Sequence, residues 1–179
     1  MTPEGDSSSV IQDSHLAVIR DATAILSRAR VEHWLTGGWA VDFLYGEVSR
    51  SHKDIDLVIR ARDAEAAVAA LSASLFEQLE PSYPDERLEF TRDGVTVELI
   101  FITSDARGRL VTPGRWAQWP WPSDTLSGPV GQIGTLSCRL VSVAAQIDSK
   151  RNYSSHGTGE LRERDLHDLR RLEAFAEHS

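Results

Sequence analysis

Apolar residues recur at helical spacing from about Gln12 to Arg30, where Leu16, Ala17, Ile19, Ala24, Ile25 and Leu26 share a face behind an Asp13 or Ser14 cap. The residues ahead of them, Thr2-Pro3-Glu4-Gly5-Asp6 and three serines, read as a flexible tail over 1–12. His33–Thr36 predicts a short strand, broken by Gly37-Gly38, and Trp39–Tyr45 a short helix closed by Gly46. The β-branched run Ile55–Ile59 predicts a buried strand, and alanine-rich 61–73 a helix. Leu88–Thr91 and Val95–Ile102 flank Asp93-Gly94, a pair suited to the two positive-φ positions of a type I′ hairpin turn. Residues 103–135 are rich in proline, glycine and tryptophan and predict a long ordered loop or irregular β region. A last strand is expected at Cys138–Val141, then helices at Val143–Asn152 and Glu160–Ala176 around a polar turn over 154–159. This order predicts an α+β fold: a mixed sheet flanked by helices over 13–141, with a helical portion over 142–179 packed on it.

A chain of 179 residues, 41% apolar and 26% charged, suits one compact domain and excludes disorder throughout. No apolar run approaches the roughly 18 residues of a membrane helix, and the polar first residues show no secretory signal. Cys138 is the sole cysteine, which removes an intrachain disulfide and a cysteine zinc site. A cytoplasmic location without membrane attachment is the expectation. The net charge of −8 opposes nucleic acid as a partner and favours cationic small molecules, although acidity alone also serves solubility.

The chemistry concentrates in two short segments. Asp54 and Asp56 alternate on one predicted strand, so their carboxylates leave the same face about 6.6–7 Å apart. Such a pair repels itself unless a cation intervenes, and its hard oxygen donors suit magnesium. Gly37 and Gly38 permit close approach of a ligand to the backbone, and the helix that follows offers free N–H groups to phosphate oxygens. Downstream, Val95, Val97, Leu99 and Phe101 alternate with Thr96, Glu98, Ile100 and Ile102, so Glu98 is an acid inside an otherwise apolar strand, which is costly unless it is ligated, paired or protonated. An Asp-x-Asp pair alone is a weak signal. Three acids on one sheet beside a diglycine cradle describe metal-assisted phosphoryl or nucleotidyl transfer.

Gly37-Gly-Trp-Ala-Val-Asp42, then Arg50-Ser-His-Lys-Asp-Ile-Asp-Leu57 and a strand acid, resemble the small antibiotic nucleotidyltransferases. These comprise the lincosamide nucleotidyltransferases and aminoglycoside 2''-adenylyltransferases of the DNA polymerase β-like superfamily. The segments 142–153 and Arg162–Leu169 extend the resemblance, which covers about Leu16 to Phe175 and is poorest over 103–135. It implies the polymerase β-like nucleotidyltransferase fold. It also implies two magnesium ions bound by Asp54 and Asp56, a triphosphate cradled by Gly37 and Gly38, and Glu98 as third metal-site acid or general base. Many relatives carry Asp at that position; the longer Glu98 reaches further toward an acceptor hydroxyl.

The implied reaction moves a nucleoside monophosphate, by default AMP from ATP, onto a hydroxyl of an aminoglycoside, a lincosamide or another small acceptor. Alternatives are a protein acceptor, as in toxin–antitoxin relatives, and an inactive nucleotide-binding module. A homodimer is compatible with the resemblance. Lys150, His52 and Lys53 are candidates for phosphate contact, against a solvated lysine and plain loop support. Asp42 reads as a structural hydrogen-bond partner, and Asp165 and Asp168 as solvated helix-face ion pairs. Trp116, Trp119 and Trp121 either wall a ligand or pack their loop.

Overall fold

The computed structural model describes residues 5–152 and 160–178; the expected polar turn at 154–159 lies outside them. Helix α1 spans Gly5–Arg28 and so begins well ahead of Gln12. Once a helix is nucleated, each added residue brings one hydrogen bond, so an apolar stripe can carry polar residues into the same helix. Arg30, at φ 58°, turns the chain out of α1, and Val31 N–H closes onto the Leu26 carbonyl at 2.9 Å.

Strand β1 (His33–Thr36) leads directly into α2 (Gly37–Tyr45), which Gly46 ends in the left-handed region. Strand β2 (Asp54–Arg60) is followed by one 3-10 turn and α3 (Ala64–Ser72). A two-residue β3 (Glu77–Gln78) precedes the hairpin of β4 (Arg87–Arg92) and β5 (Val95–Ser104). Asp93 at φ 53° and Gly94 at φ 77° occupy the two turn positions expected of them.

The strands assemble in the order β1-β2-β5-β4-β3. β2 and β5 are parallel, and the other neighbouring pairs are antiparallel. Period-two alternation assigns Ile55, Leu57, Ile59, Val97, Leu99 and Phe101 to the main core, against which α1 and α3 contribute Val18, Ile19, Leu26, Ala67 and Leu71. The opposite face is apolar only at one end, where Trp34, Val58 and Ile102 pack with Val141 and Ala145. At its other end the same face carries Asp54, Asp56 and Glu98. That gradient places the acids at the rim of a sheet already buried on its reverse side.

The 103–135 region contains more regular structure than its composition suggests. β6 (Leu110–Val111) pairs with the end of β5, and single 3-10 turns occupy Gly114–Trp116 and Thr125–Ser127. β7 (Val130–Ile133) forms a separate hairpin with β8 (Leu136–Arg139). The last strand therefore ends at Arg139, and Leu140 instead makes an isolated parallel bridge to Leu35. α4 (Val143–Asn152) matches its expected bounds, and α5 runs Glu163–His178. Among the described residues no helix is long and apolar enough to cross a membrane.

Candidate active site

Gly37 and Gly38 are required for different reasons. Gly37 adopts φ 70°, and a Cβ there would overlap the Asp56 carboxylate. At Gly38 a Cβ would run into the Arg50 guanidinium and the His52 ring. The bend thus lies in direct van der Waals reach of Asp56 on one side and two nitrogen-bearing side chains on the other. Thr36 makes no side-chain cap to α2, so no hydroxyl competes for the first N–H groups of that helix.

In the parallel pair of β2 and β5, Asp56 is the register partner of Glu98, and Asp54 that of Thr96. The alternation anticipated for β5 is present, with Thr96, Glu98 and Ile100 on the face away from the main core. Asp56 keeps partial access to solvent but is hemmed in by protein. That burial, with the charges of Asp54 and Glu98, pushes its carboxyl up to about 8 against the opposing pull of Lys150 and Arg87. Burial also raises Glu98, offset by Arg87, whose Nη1 is 2.7 Å from Glu98 Oε1. Glu98 is thereby engaged by β4. Among the described residues no three Asp, Glu, His or Cys side chains converge in ready metal-ligand geometry. The donor set nevertheless fits a divalent cation: the carboxylates outnumber their local compensation, and added positive charge would offset the repulsion that raises the Asp56 carboxyl.

His52 and Lys53 separate. Lys53 is exposed at the cavity rim, whereas His52 is buried with Nε2 2.6 Å from Asp42 Oδ2. The carboxylate can only accept there, so Nε2 carries the proton. Ser49 Oγ donates to the other Asp42 oxygen at 2.6 Å, which bears out Asp42 as a structural partner. The His52 ring packs 4.4 Å from Trp39, whose indole N–H donates to His15 Nδ1 at 3.3 Å.

Asp165 and Asp168 correct the expectation of solvated pairs. Both are buried, at 7% and 1% exposure, because α5 turns positions 165, 168 and 172 inward. Asp168 accepts from Arg50 Nε at 3.1 Å and Nη2 at 2.7 Å, and from Lys150 Nζ at 3.0 Å. Burial would raise its carboxyl, but the Arg50 hydrogen bonds and the Lys150 charge outweigh it and hold it below the usual range. Lys150 is accordingly no solvated lysine, and Arg50 is held over Gly38 from α5. The i, i+3, i+7 spacing of Asp165, Asp168 and Leu172 was the available signal for this inward face. Arg87, on β4, carried none.

Two cavities meet at this point. One, of about 230 Å³, is bordered by Gly37, Gly38, Asp54, Asp56, His52 and Lys150. The other, of about 220 Å³, lies beyond Glu98 against Trp116, Trp119 and Trp121. Ile100, Trp121 and Ser149 border both. Consecutive residues of α4 serve the two sides, since Asp148 faces the second cavity, Lys150 the first, and Ser149 both.

The chain is 33% identical over 70 residues to a 2''-aminoglycoside nucleotidyltransferase of Escherichia coli, a stretch that takes in 37% of this chain and 40% of that protein. It therefore spans about two fifths of the length of that curated relative. The crystal structure of ANT(2'')-Ia in complex with adenylyl-2''-tobramycin superposes with a TM-score of 0.72 at 18% identity, covering 92% of each chain. Lincomycin-bound LnuA, a lincosamide antibiotic adenylyltransferase, superposes with a TM-score of 0.64 at 21% identity, covering 84% of this chain and 91% of its own. At these identities the two structures establish the nucleotidyltransferase fold. Residues 18–172 match as a whole, from α1 through both cavities into α5, and the chain belongs to the aminoglycoside-2''-adenylyltransferase family.

Proposed function

We propose that this protein transfers a nucleoside monophosphate, AMP from ATP by default, to a hydroxyl of a small acceptor, with release of pyrophosphate. The observation that carries this reading is the meeting of two cavities at Ile100, Trp121 and Ser149, with Asp56 bordering the one beside the diglycine bend and its register partner Glu98 the other. The triphosphate belongs in the first cavity. There Gly37 and Gly38 bring backbone N–H groups to phosphate oxygens, and Lys150 and Arg50 supply positive charge. His52, fixed by Asp42 and Trp39, supports the far side of the bend, and Lys53 reaches the phosphates from the rim.

Asp54 and Asp56 would hold magnesium, two ions by the family resemblance, with Glu98 next in the row; when bound, magnesium neutralises the triphosphate and stabilises the attacking and leaving oxygens. Glu98 faces the acceptor cavity and takes the proton of the attacking hydroxyl, a general-base contribution of about 10²–10⁴-fold. Arg87 orients that carboxylate in the meantime through its 2.7 Å contact. The hydroxyl oxygen attacks the α-phosphorus in line, and the bond to the pyrophosphate oxygen breaks.

A pyrophosphate-release assay with ATP, magnesium and a panel of aminoglycosides, lincosamides and other hydroxylated amines tests the proposal. Release that depends on an acceptor and disappears in Asp56→Asn is the expected result. Triphosphate binding without magnesium dependence, and no release with any acceptor, would replace the transferase with a nucleotide-binding module.

A further inference from the structure

The cavity beyond Glu98 is aromatic, and its acids already have partners. Trp116 and Trp119 stand 5.6 Å apart between ring centroids, and Trp121 is tied by its indole N–H to Thr112 Oγ1 at 3.0 Å. Three carboxylates border the space: Glu86, Glu98 and Asp148. Glu98 is held by Arg87, and Asp148 accepts from Asn152 Nδ2 at 2.9 Å. Glu86 is the most committed, since it accepts both the backbone N–H of Arg115 at 3.0 Å and its Nε at 2.9 Å.

That last pair is built into the loop. The Arg115 guanidinium lies 3.5 Å over the Tyr83 ring, and the Glu86 side chain is only 6% exposed. Gly114, at φ 73°, sits so close that a Cβ would overlap the Glu86 carboxylate. Arg115 pairs with Glu86, and Arg87 lies between Glu98 and Glu89, whose Oε1 is 3.5 Å from Arg87 Nε, while the partner of Asp148 is a neutral amide. An acceptor with several ammonium groups would have to displace guanidinium from carboxylate, trading strong charge-assisted bonds for equivalent ones while its remaining charges face arginine. The tryptophan faces, in contrast, reward a broad apolar or C–H-rich surface. The overall charge of −8 attracts cations at long range but does not alter this local balance.

We infer that this cavity takes a hydroxylated acceptor that has an apolar or C–H-rich face and no more than one ammonium group, and that the Glu86–Arg115 pair is what turns polyamines away. The inference rests on the proposed transferase reading for the term acceptor, but the binding preference itself is measurable without turnover. The probes are lincomycin, with one basic amine, and tobramycin, with several.

Isothermal titration of each into the full chain, with and without magnesium and a nonhydrolysable ATP analogue, should show lincomycin binding at least about tenfold more tightly near physiological salt. Trp119→Ala should weaken lincomycin by about tenfold. Arg115→Gln, which releases Glu86, should tighten tobramycin about fivefold or more without tightening lincomycin, whereas Arg115→Lys should keep the native ranking. Thermal melts of each variant report whether the loop has simply come loose. Tighter binding of tobramycin by the native protein, binding of neither probe, or an Arg115→Gln protein that folds but gains nothing for tobramycin would overturn the inference. The expected preference without pyrophosphate release would defeat the transferase reading and leave the selectivity standing.

Discussion

Asp56 of β2 and Glu98 of β5 are register partners in the parallel pair, 42 positions apart in the chain and side by side on one face of the sheet. Neither carboxylate can be ionised without raising the cost of ionising the other, and Asp54 adds to both. A site that concentrates negative charge in this way is strained by itself and relaxed by bound cation.

Removal of the Asp56 charge separates function from stability. Asp56→Asn should abolish pyrophosphate release while the metal-free protein melts at the same temperature or higher. Because the folded-state carboxyl lies at about 8, above its unfolded value, the folded chain holds a proton that the unfolded chain releases. Stability of the metal-free protein should therefore fall as pH rises from about 4 toward 8, and the Asn variant should lose that slope. Melting curves in chelator across this range read it directly; a native slope in Asp56→Asn would refute the assignment.

The diglycine bend makes a steric prediction. Gly37→Ala forces a Cβ into the left-handed region, a backbone cost of about 1–2 kcal/mol, and pushes the Asp56 carboxylate aside. Gly38→Ala should disturb Arg50 and His52 instead, with less backbone strain. Nucleotide affinity should drop in both, but only Gly37→Ala should alter the pH dependence attributed to Asp56. Calorimetric binding of a nonhydrolysable triphosphate and pH-dependent melts distinguish them.

Glu98→Gln retains size and hydrogen-bonding capacity at the tryptophan cavity but gives up the proposed base. Single-turnover rates should decline about 10²–10⁴-fold with nucleotide affinity within a few-fold of native. Equal losses in rate and affinity would recast Glu98 as a metal ligand alone.

Asp168 holds the other half of the first cavity. Asp168→Asn leaves Arg50 and Lys150 without their shared carboxylate in a largely buried setting and should cost about 3–5 kcal/mol. The melting temperature should fall by more than about 6 °C on the scale usual for this chain length. The folded-state carboxyl of Asp168 lies below its ordinary value, so its contribution is present above about pH 4 and disappears as pH falls through the folded-state value. The native protein should lose stability on that acid limb faster than the variant does, as acid titration followed by circular dichroism would show.

Much of the fold was legible from local pattern. The hairpin at Asp93-Gly94 needed only two adjacent positive-φ positions, and the alternation through Val95–Ile102 already sorted Glu98 from the core side of its strand. Helices at 39–45 and 143–152 followed from glycine punctuation and composition, although the first begins two residues earlier, at Gly37. Region 103–135 resisted because β6 and β7 are pairings of two to four residues, whose stability comes from neighbours distant in the chain rather than from their own propensity. The burial of Asp168 was misjudged for a related reason: a charged residue on a helix reads as solvated until the arginine and lysine that accompany it are known to come from 118 and 18 positions away.

By itself the chain's order of residues determined which acids share a strand face, where the backbone must bend through glycine, and which family motif they compose. Those are properties of periodicity and of single-residue conformational freedom, and both are local. Tertiary structure alone decided that Glu98 stands beside Asp56, that Arg87 and Arg115 pair with Glu98 and Glu86 at the tryptophan cavity, and that α5 carries the anchor for Arg50 and Lys150. Electrostatic balance depends on distances between residues remote in sequence, and only strand register and helix packing set those distances.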